Sequence, residues 1–235
     1  MSTTIDPIVD VHSAGGETAA TSSRPRWPIF GVVAGTAAFV ASMVGMPGDG
    51  LTEEEYGSGI DVLDHLTRGG FRSGFLIGLV SIGALLLAAS GWKRWAERRA
   101  PDDIAARTIG SALSATAAVN IIGYSLMGSM ALYMPGGVDE GWLSRESQFV
   151  NFTYLDFGVL FGWWATVLAA GCVAWLSFRP DRLLPRWYGV VSVLLMFPPI
   201  ALAIGMSLPG MPGFTMPIWL TIVSLGMLFG RAARS

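Results

Sequence analysis

Polar and apolar residues fall into long blocks along this chain rather than alternating with a strand or surface-helix period. Six apolar runs stand out, at about 28–46, 71–91, 108–134, 150–177, 187–208 and 214–230. The third is preceded by a helical turn from about 104 that belongs to the flanking polar region. At 1.5 Å per residue each run is long enough to cross a hydrocarbon core of about 30 Å. In such a core every backbone N–H and C=O must be satisfied within the segment, so the runs predict helices. The expected fold class is all-α: an integral membrane bundle of six transmembrane helices. It forms one domain, residues 24–235, behind a polar, aperiodic segment at 1–23 that reads as a disordered cytoplasmic tail. That segment has no basic start followed directly by an apolar core, so it does not read as a signal peptide.

The connections differ in character. The first long one, about 47–70, carries Thr52-Glu53-Glu54-Glu55, the spacing of a capping box. Tyr56, Ile60 and Leu63 follow at helical intervals and predict a short amphipathic helix over about 53–67. The second, 135–148, opens on a Pro-Gly-Gly turn and continues through Asp139-Glu140-Gly141-Trp142. The third, 208–214, is a tight Leu-Pro-Gly-Met-Pro-Gly-Phe turn that makes spans five and six antiparallel neighbours.

Charge gives the helices a direction. With the amino terminus inside, 12 Lys and Arg residues fall on the cytoplasmic side: Arg24, Arg26, Lys93, Arg94, Arg98, Arg99, Arg107, Arg179, Arg182, Arg186, Arg231 and Arg234. Only Arg68, Arg72 and Arg145 fall outside. The positive-inside rule therefore places both termini in the cytoplasm. Trp27, Trp92, Trp95, Trp142 and Trp187 lie near the expected interfaces, where indole rings anchor. The acids Asp49, Glu53, Glu54, Glu55, Asp61, Asp64, Asp139, Glu140 and Glu146 crowd the opposite side.

Composition removes several function classes. Of the residues 52% are apolar and 14% charged, with mean hydropathy +0.53, against roughly 25% charged in soluble domains. A net charge of -2 with no basic stripe gives no footprint for a nucleic acid. Cys172 is the single cysteine, so no intramolecular disulfide or cysteine metal cluster forms. His12 and His65 both lie in polar segments, which leaves no histidine pair to hold a haem between helices. The single lysine, Lys93, sits at a helix end and not inside a span, which excludes a retinal Schiff base. No cofactor and no metal are expected.

Small residues four apart mark where helices approach closely. Gly158, Gly162, Thr166 and Ala170 form such a ridge in span four, with shorter ones at Gly31/Gly35, Gly74/Gly78, Gly110/Ser114/Ala118 and Gly226/Gly230. They serve either internal packing or a dimer interface. Pro198 and Pro199, mid-way along span five, predict a kink there, which is either a structural feature or the broken helix of a binding site.

The candidate chemistry lies in the outer half of the bundle. Asp156 is the one acid well inside an apolar run, and a short buried carboxylate needs a partner. Arg72, at the outer start of span two, is the candidate, with Arg68 or Arg145 behind it. Thr116, Asn120 and Tyr124 are spaced four apart on span three and share a face. With Asp156 and Tyr154 they would make an intramembrane polar cluster. Such a cluster either carries a proton, cation or small solute or holds helices together. His65 beside Asp64, near Glu53–Glu55, offers either a metal ligand and general base or a solvated acidic face. No Gly-x-Ser-x-Gly, His-Glu-x-x-His, phosphate-loop or dinucleotide signature occurs.

At the start of span five the chain reads Arg182-Leu183-Leu184-Pro185-Arg186-Trp187-Tyr188-Gly189. This junction, after a span rich in small residues and tryptophan, resembles families of bacterial multi-pass membrane proteins of unknown function common in actinobacteria. The resemblance implies a bacterial inner-membrane location and no activity. Alanine-, glycine- and arginine-rich usage with one lysine fits a GC-rich genome. Three functions remain open. The first is a non-enzymatic membrane protein that binds a partner protein, a lipid or a second copy of itself. The second is an ion-coupled or small-solute transporter using Asp156 and the polar face of span three. The third is an enzyme acting on a lipid at the outer interface through Asp64, His65 or Asp156.

Overall fold

The structure, a computed structural model, describes residues 26–45 and 51–230, and within them the side chains of all but Asp156 and Phe157. The expected tail at 1–23, residues 46–50 and the Asp156 side chain therefore lie outside the described residues. Within them every regular element is helical: α1 (Pro28–Gly45), α2 (Glu53–Tyr56), a 3-10 turn (Gly59–His65), α3 (Arg68–Arg99), α4 (Ile104–Tyr133), α5 (Arg145–Phe161), α6 (Trp164–Phe178), α7 (Arg186–Met206) and α8 (Pro212–Phe229). Six helical segments are long and apolar enough to cross a membrane, counting α5 and α6 as one segment, Arg145–Phe178.

Three ends are set by local chemistry. Ser144 caps α5 by accepting the Ser147 N–H, and Asp103 caps α4 by accepting the Ala106 N–H. Thr52 and Glu55 form the reciprocal capping box anticipated from their spacing, at 3.2 Å and 2.7 Å. The helix behind that box stops at Tyr56, so the continuous amphipathic helix expected over 53–67 is not what forms. Gly57 ends it, Gly59 takes a positive φ of 69°, and the chain continues as a tighter 3-10 turn that buries Val62 and Leu63.

Helices pack in a closed circuit: α1 against α3, α3 against α4, α4 against α5 and α6, α6 against α7, and α8 against both α7 and α1. The seams run along the small-residue ridges. Gly31 lies under Ser224 and Gly35 under Pro217 and Thr221, which joins α1 to α8. Gly74 meets the backbone of Gly45, Gly78 lies under the Tyr124 ring, and Gly110 lies under Lys93. Gly226 faces Trp187 and Tyr188. A Cβ at these glycines would overlap its neighbour, so these ridges serve packing within one chain.

The fourth apolar run departs from expectation. It is not one helix: the α pattern lapses at Gly162 and Trp163, and the Thr166 and Val167 N–H groups both turn to the Trp163 carbonyl. The break faces another helix. The amide oxygen of Asn120 in α4 occupies the space a Cβ on Gly162 would fill. By contrast α7 runs as one helix through Pro198 and Pro199. It is also the most exposed of the six, with Leu194, Phe197 and Ile204 all uncovered.

Candidate functional site

The polar face read on span three is built into the seam between α4 and the α5–α6 pair. Antiparallel packing sets Thr116 opposite Thr166, Asn120 opposite Gly162 and Gly123 opposite Gly158. The two threonine hydroxyls share a hydrogen bond of 2.7 Å. At Gly123 and Gly158 the backbones touch, so this is the closest approach on the seam. Thr116, Asn120 and Tyr124 are all buried, and Asn120 is only 1% exposed.

Asn120 and Gly162 lie near the midpoints of their helical segments, so the seam's polar core sits deep in the apolar bundle. Neither amide atom of Asn120 has a hydrogen-bond partner, and the same holds for the Tyr124 hydroxyl and the Trp163 indole N–H. Most buried polar groups in folded proteins are paired, so three such side chains on neighbouring turns are unusual. Tyr124 departs slightly from the face of the other two. Its ring turns to Gly78 of α3, because eight residues along an α-helix carry a side chain about 80° around the axis.

The remaining candidates lie elsewhere. Tyr154 is 59% exposed on the outside of α5, away from Asn120's seam. Arg72 is exposed on α3, and α4 stands between α3 and α5, the helix that carries Asp156. Arg68 turns to the end of α4, where its Nε donates to the Ala131 carbonyl at 2.7 Å, a cation placed at a helix C-terminus.

A second polar assembly caps the end of the bundle that carries Arg145. The Arg145 guanidinium forks onto Asp64, at 2.7 Å and 3.0 Å, and lies 3.8 Å from Asp61. That pairing pins the 3-10 turn to the start of α5, and Tyr56 adds an edge-on contact to Phe152. Hydrogen bonding from Arg145 holds the Asp64 carboxyl below the usual aspartate value. The backbone and hydroxyl of Thr52 lower Glu55 likewise. His65 pairs with Glu55 at 3.3 Å whereas Asp64 pairs with Arg145, so histidine and aspartate serve separate contacts. Among the described residues no group of three or more metal-ligating side chains converges. Beside the fork lies a cleft of about 240 Å³ lined by Asp64, Tyr133, Glu140, Arg145 and Gln148 among others. Val138 and Trp142, on the neighbouring loop, are 85% and 83% exposed.

A third feature was not anticipated. At the opposite end Asp103, which caps α4, pairs with Arg179 at the end of α6, and Arg179 also meets Asp181 at 3.2 Å. Burial pushes the Asp103 carboxyl up, but the Ala106 N–H and Arg179 outweigh it, and the carboxyl ends below its ordinary value. The two partners are 76 residues apart, so only the Asp-x-x-Ala cap was locally visible.

Comparison with protein-family models, with curated proteins and with solved structures finds no match to this chain.

Proposed function

We propose that this chain is a multi-pass protein of a bacterial inner membrane, with both termini in the cytoplasm, that works by binding and not by catalysis. The membrane part of the reading rests on six apolar helices and on the 12-to-3 division of basic residues between the two ends. The observation that carries the binding part is the cap. The Arg145–Asp64 fork fixes an acidic loop on α5 and leaves a cleft with Val138 and Trp142 uncovered beside it. Exposed aromatic and aliphatic side chains beside fixed charges are the makings of a contact surface. His65 and Asp64, two of the three residues named for the enzyme reading, each pair with a different residue.

The test is site-specific photo-crosslinking from position 142 in intact membranes. A discrete adduct, lost when Arg145→Gln releases the cap, is the expected result. The same faint labelling with and without Arg145 would refute the proposal.

One observation favours a second reading, transport of an ion or small polar solute. Asn120 is unpartnered at mid-depth, beside the break in the fourth helical segment, and broken helices line binding sites in many transporters. Vesicle uptake that depends on Asn120 and Asp156 would establish it. Uptake unchanged by Asn120→Ala and Asp156→Asn would remove it.

A further inference from the structure

We propose that the α3–α4 hairpin carries, at its basic end, a binding surface for anionic phospholipid headgroups. The proposal rests on the membrane reading above and names a lipid class and a location that it leaves open.

The surface begins with a difference in helix length. Trp27, just before α1, lies on Gly91 of α3, so residues 92–99 of α3 project past the start of α1. On that projection Lys93, Arg94 and Arg98 are exposed. The Lys93 stem lies on Gly110 of α4, and Arg107 is exposed one turn nearer the end of the same helix. Cations from two helices therefore share one end of one seam. Among the described residues none of these four makes an ion pair. Arg94 and Arg98 are moreover four apart on one helix, an arrangement in which like charges repel. The nearby acids do not balance them. Asp103 and Asp181 are held by Arg179, which leaves the exposed Glu97 and Asp102 against four cations.

The floor beneath these charges is aromatic. Trp92 stands edge-on to Trp27 at 5.4 Å and to Trp95 at 5.3 Å, with Trp92 fully buried and Trp27 half-buried. These rings are packed against one another and stiffen the base of the projection, while the 32 residues of α3, about 48 Å at 1.5 Å per residue, carry its end beyond a hydrocarbon core of about 30 Å. A cluster of unpaired cations at headgroup depth, on the side the positive-inside rule assigns to the cytoplasm, is complementary to lipid phosphate. Lysine supplies a mobile point charge, and the arginines can bind two phosphate oxygens at once.

The test uses the purified full chain in mild detergent, titrated with phosphatidylglycerol, with phosphatidylcholine and with inorganic phosphate. Bound lipid is counted by native mass spectrometry. At least a tenfold preference for phosphatidylglycerol is expected, weakened in 0.5 M salt. Combined Lys93→Gln, Arg94→Gln, Arg98→Gln and Arg107→Gln should abolish it, whereas Arg182→Gln with Arg186→Gln, on the α6–α7 connection, should leave most of it. If the fourfold variant does not fold, the pairs Lys93→Gln/Arg107→Gln and Arg94→Gln/Arg98→Gln should each lower the preference severalfold. Equal binding of the two lipids, a preference that survives neutralisation, or full competition by millimolar inorganic phosphate would overturn the proposal. Alkaline carbonate washing of native membranes separates the two failures. A chain that washes off refutes the membrane reading, whereas one that stays inserted but shows no lipid preference refutes only the headgroup site.

Discussion

Replacing Asp103 probes two interactions that one carboxylate makes at once. It caps α4 through the Ala106 N–H at 2.9 Å, and it holds Arg179 at the far end of α6. Loss of an N-cap to alanine costs about 1 kcal/mol. The ion pair has side-chain exposures of 17% and 15%, and Arg179 keeps Asp181 when Asp103 is gone. Screening and that second partner leave about 1 kcal/mol for the pair, near the top of the range for exposed bridges and below the 3–5 kcal/mol of a fully buried one. Asp103→Ala should therefore cost about 2 kcal/mol, roughly a thirtyfold shift in the folding equilibrium. Asp103→Asn keeps a good cap and should cost about half as much. Asp181→Ala, at a residue 78% exposed, should cost less than about 0.5 kcal/mol.

The Asp103 pair also sets a pH dependence. The folded carboxyl lies below the ordinary value of 3.8, so its contribution is complete above that value and fades as pH falls through the lower, folded one. Denaturant or sodium dodecyl sulfate titration of the purified protein, followed by tryptophan fluorescence, measures all three variants. The acid-side loss of stability should shrink in Asp103→Asn. Equal stability of the aspartate, asparagine and alanine forms, with the same acid limb, would refute the reasoning.

The other predictions concern the seam and the cap. Thr116→Val leaves the Thr166 hydroxyl buried without a partner and should cost about 1–2 kcal/mol, part of which the Thr116→Val/Thr166→Val double variant recovers. A double-mutant cycle in the same titration reads the coupling. Gly158→Leu must force α4 and α5 apart where their backbones touch, so folded yield should fall sharply, by the equivalent of about 1–3 kcal/mol or more. Arg145→Gln frees the 3-10 turn from α5, and limited proteolysis should cut within 53–66 faster than in the parent protein.

Much of the fold was legible in the chain because each feature was local. Long apolar blocks mark helices, Thr52 and Glu55 mark a cap, and glycines four apart mark seams. What escaped was set by distant residues or by local competition. No proline announces the break at Gly162 and Trp163, and the Asn120 side chain that lies against it comes from another helix. Pro198 and Pro199, where a kink was expected, sit in a helix that runs on without interruption. In the first connection the spacing of Tyr56, Ile60 and Leu63 suggested one helix, but Gly57 and Gly59 outweighed it. The same distance limit applies to sites. The face of Thr116 and Asn120 was visible from spacing. Their partners Thr166 and Gly162, the Arg145–Asp64 fork and the Asp103–Arg179 pair all span long separations that no local pattern encodes.

The central claim, six membrane crossings with the basic end in the cytoplasm, is tested most directly by cysteine accessibility. Cys172, the single native cysteine, is first replaced by alanine, and single cysteines are placed at Trp142, Asp102 and Arg182. A membrane-impermeant maleimide applied to intact cells stripped of any outer barrier should label position 142 at once. It should reach positions 102 and 182 only after permeabilisation. Labelling of 102 and 182 from outside, or of all three from the same side, would contradict the account.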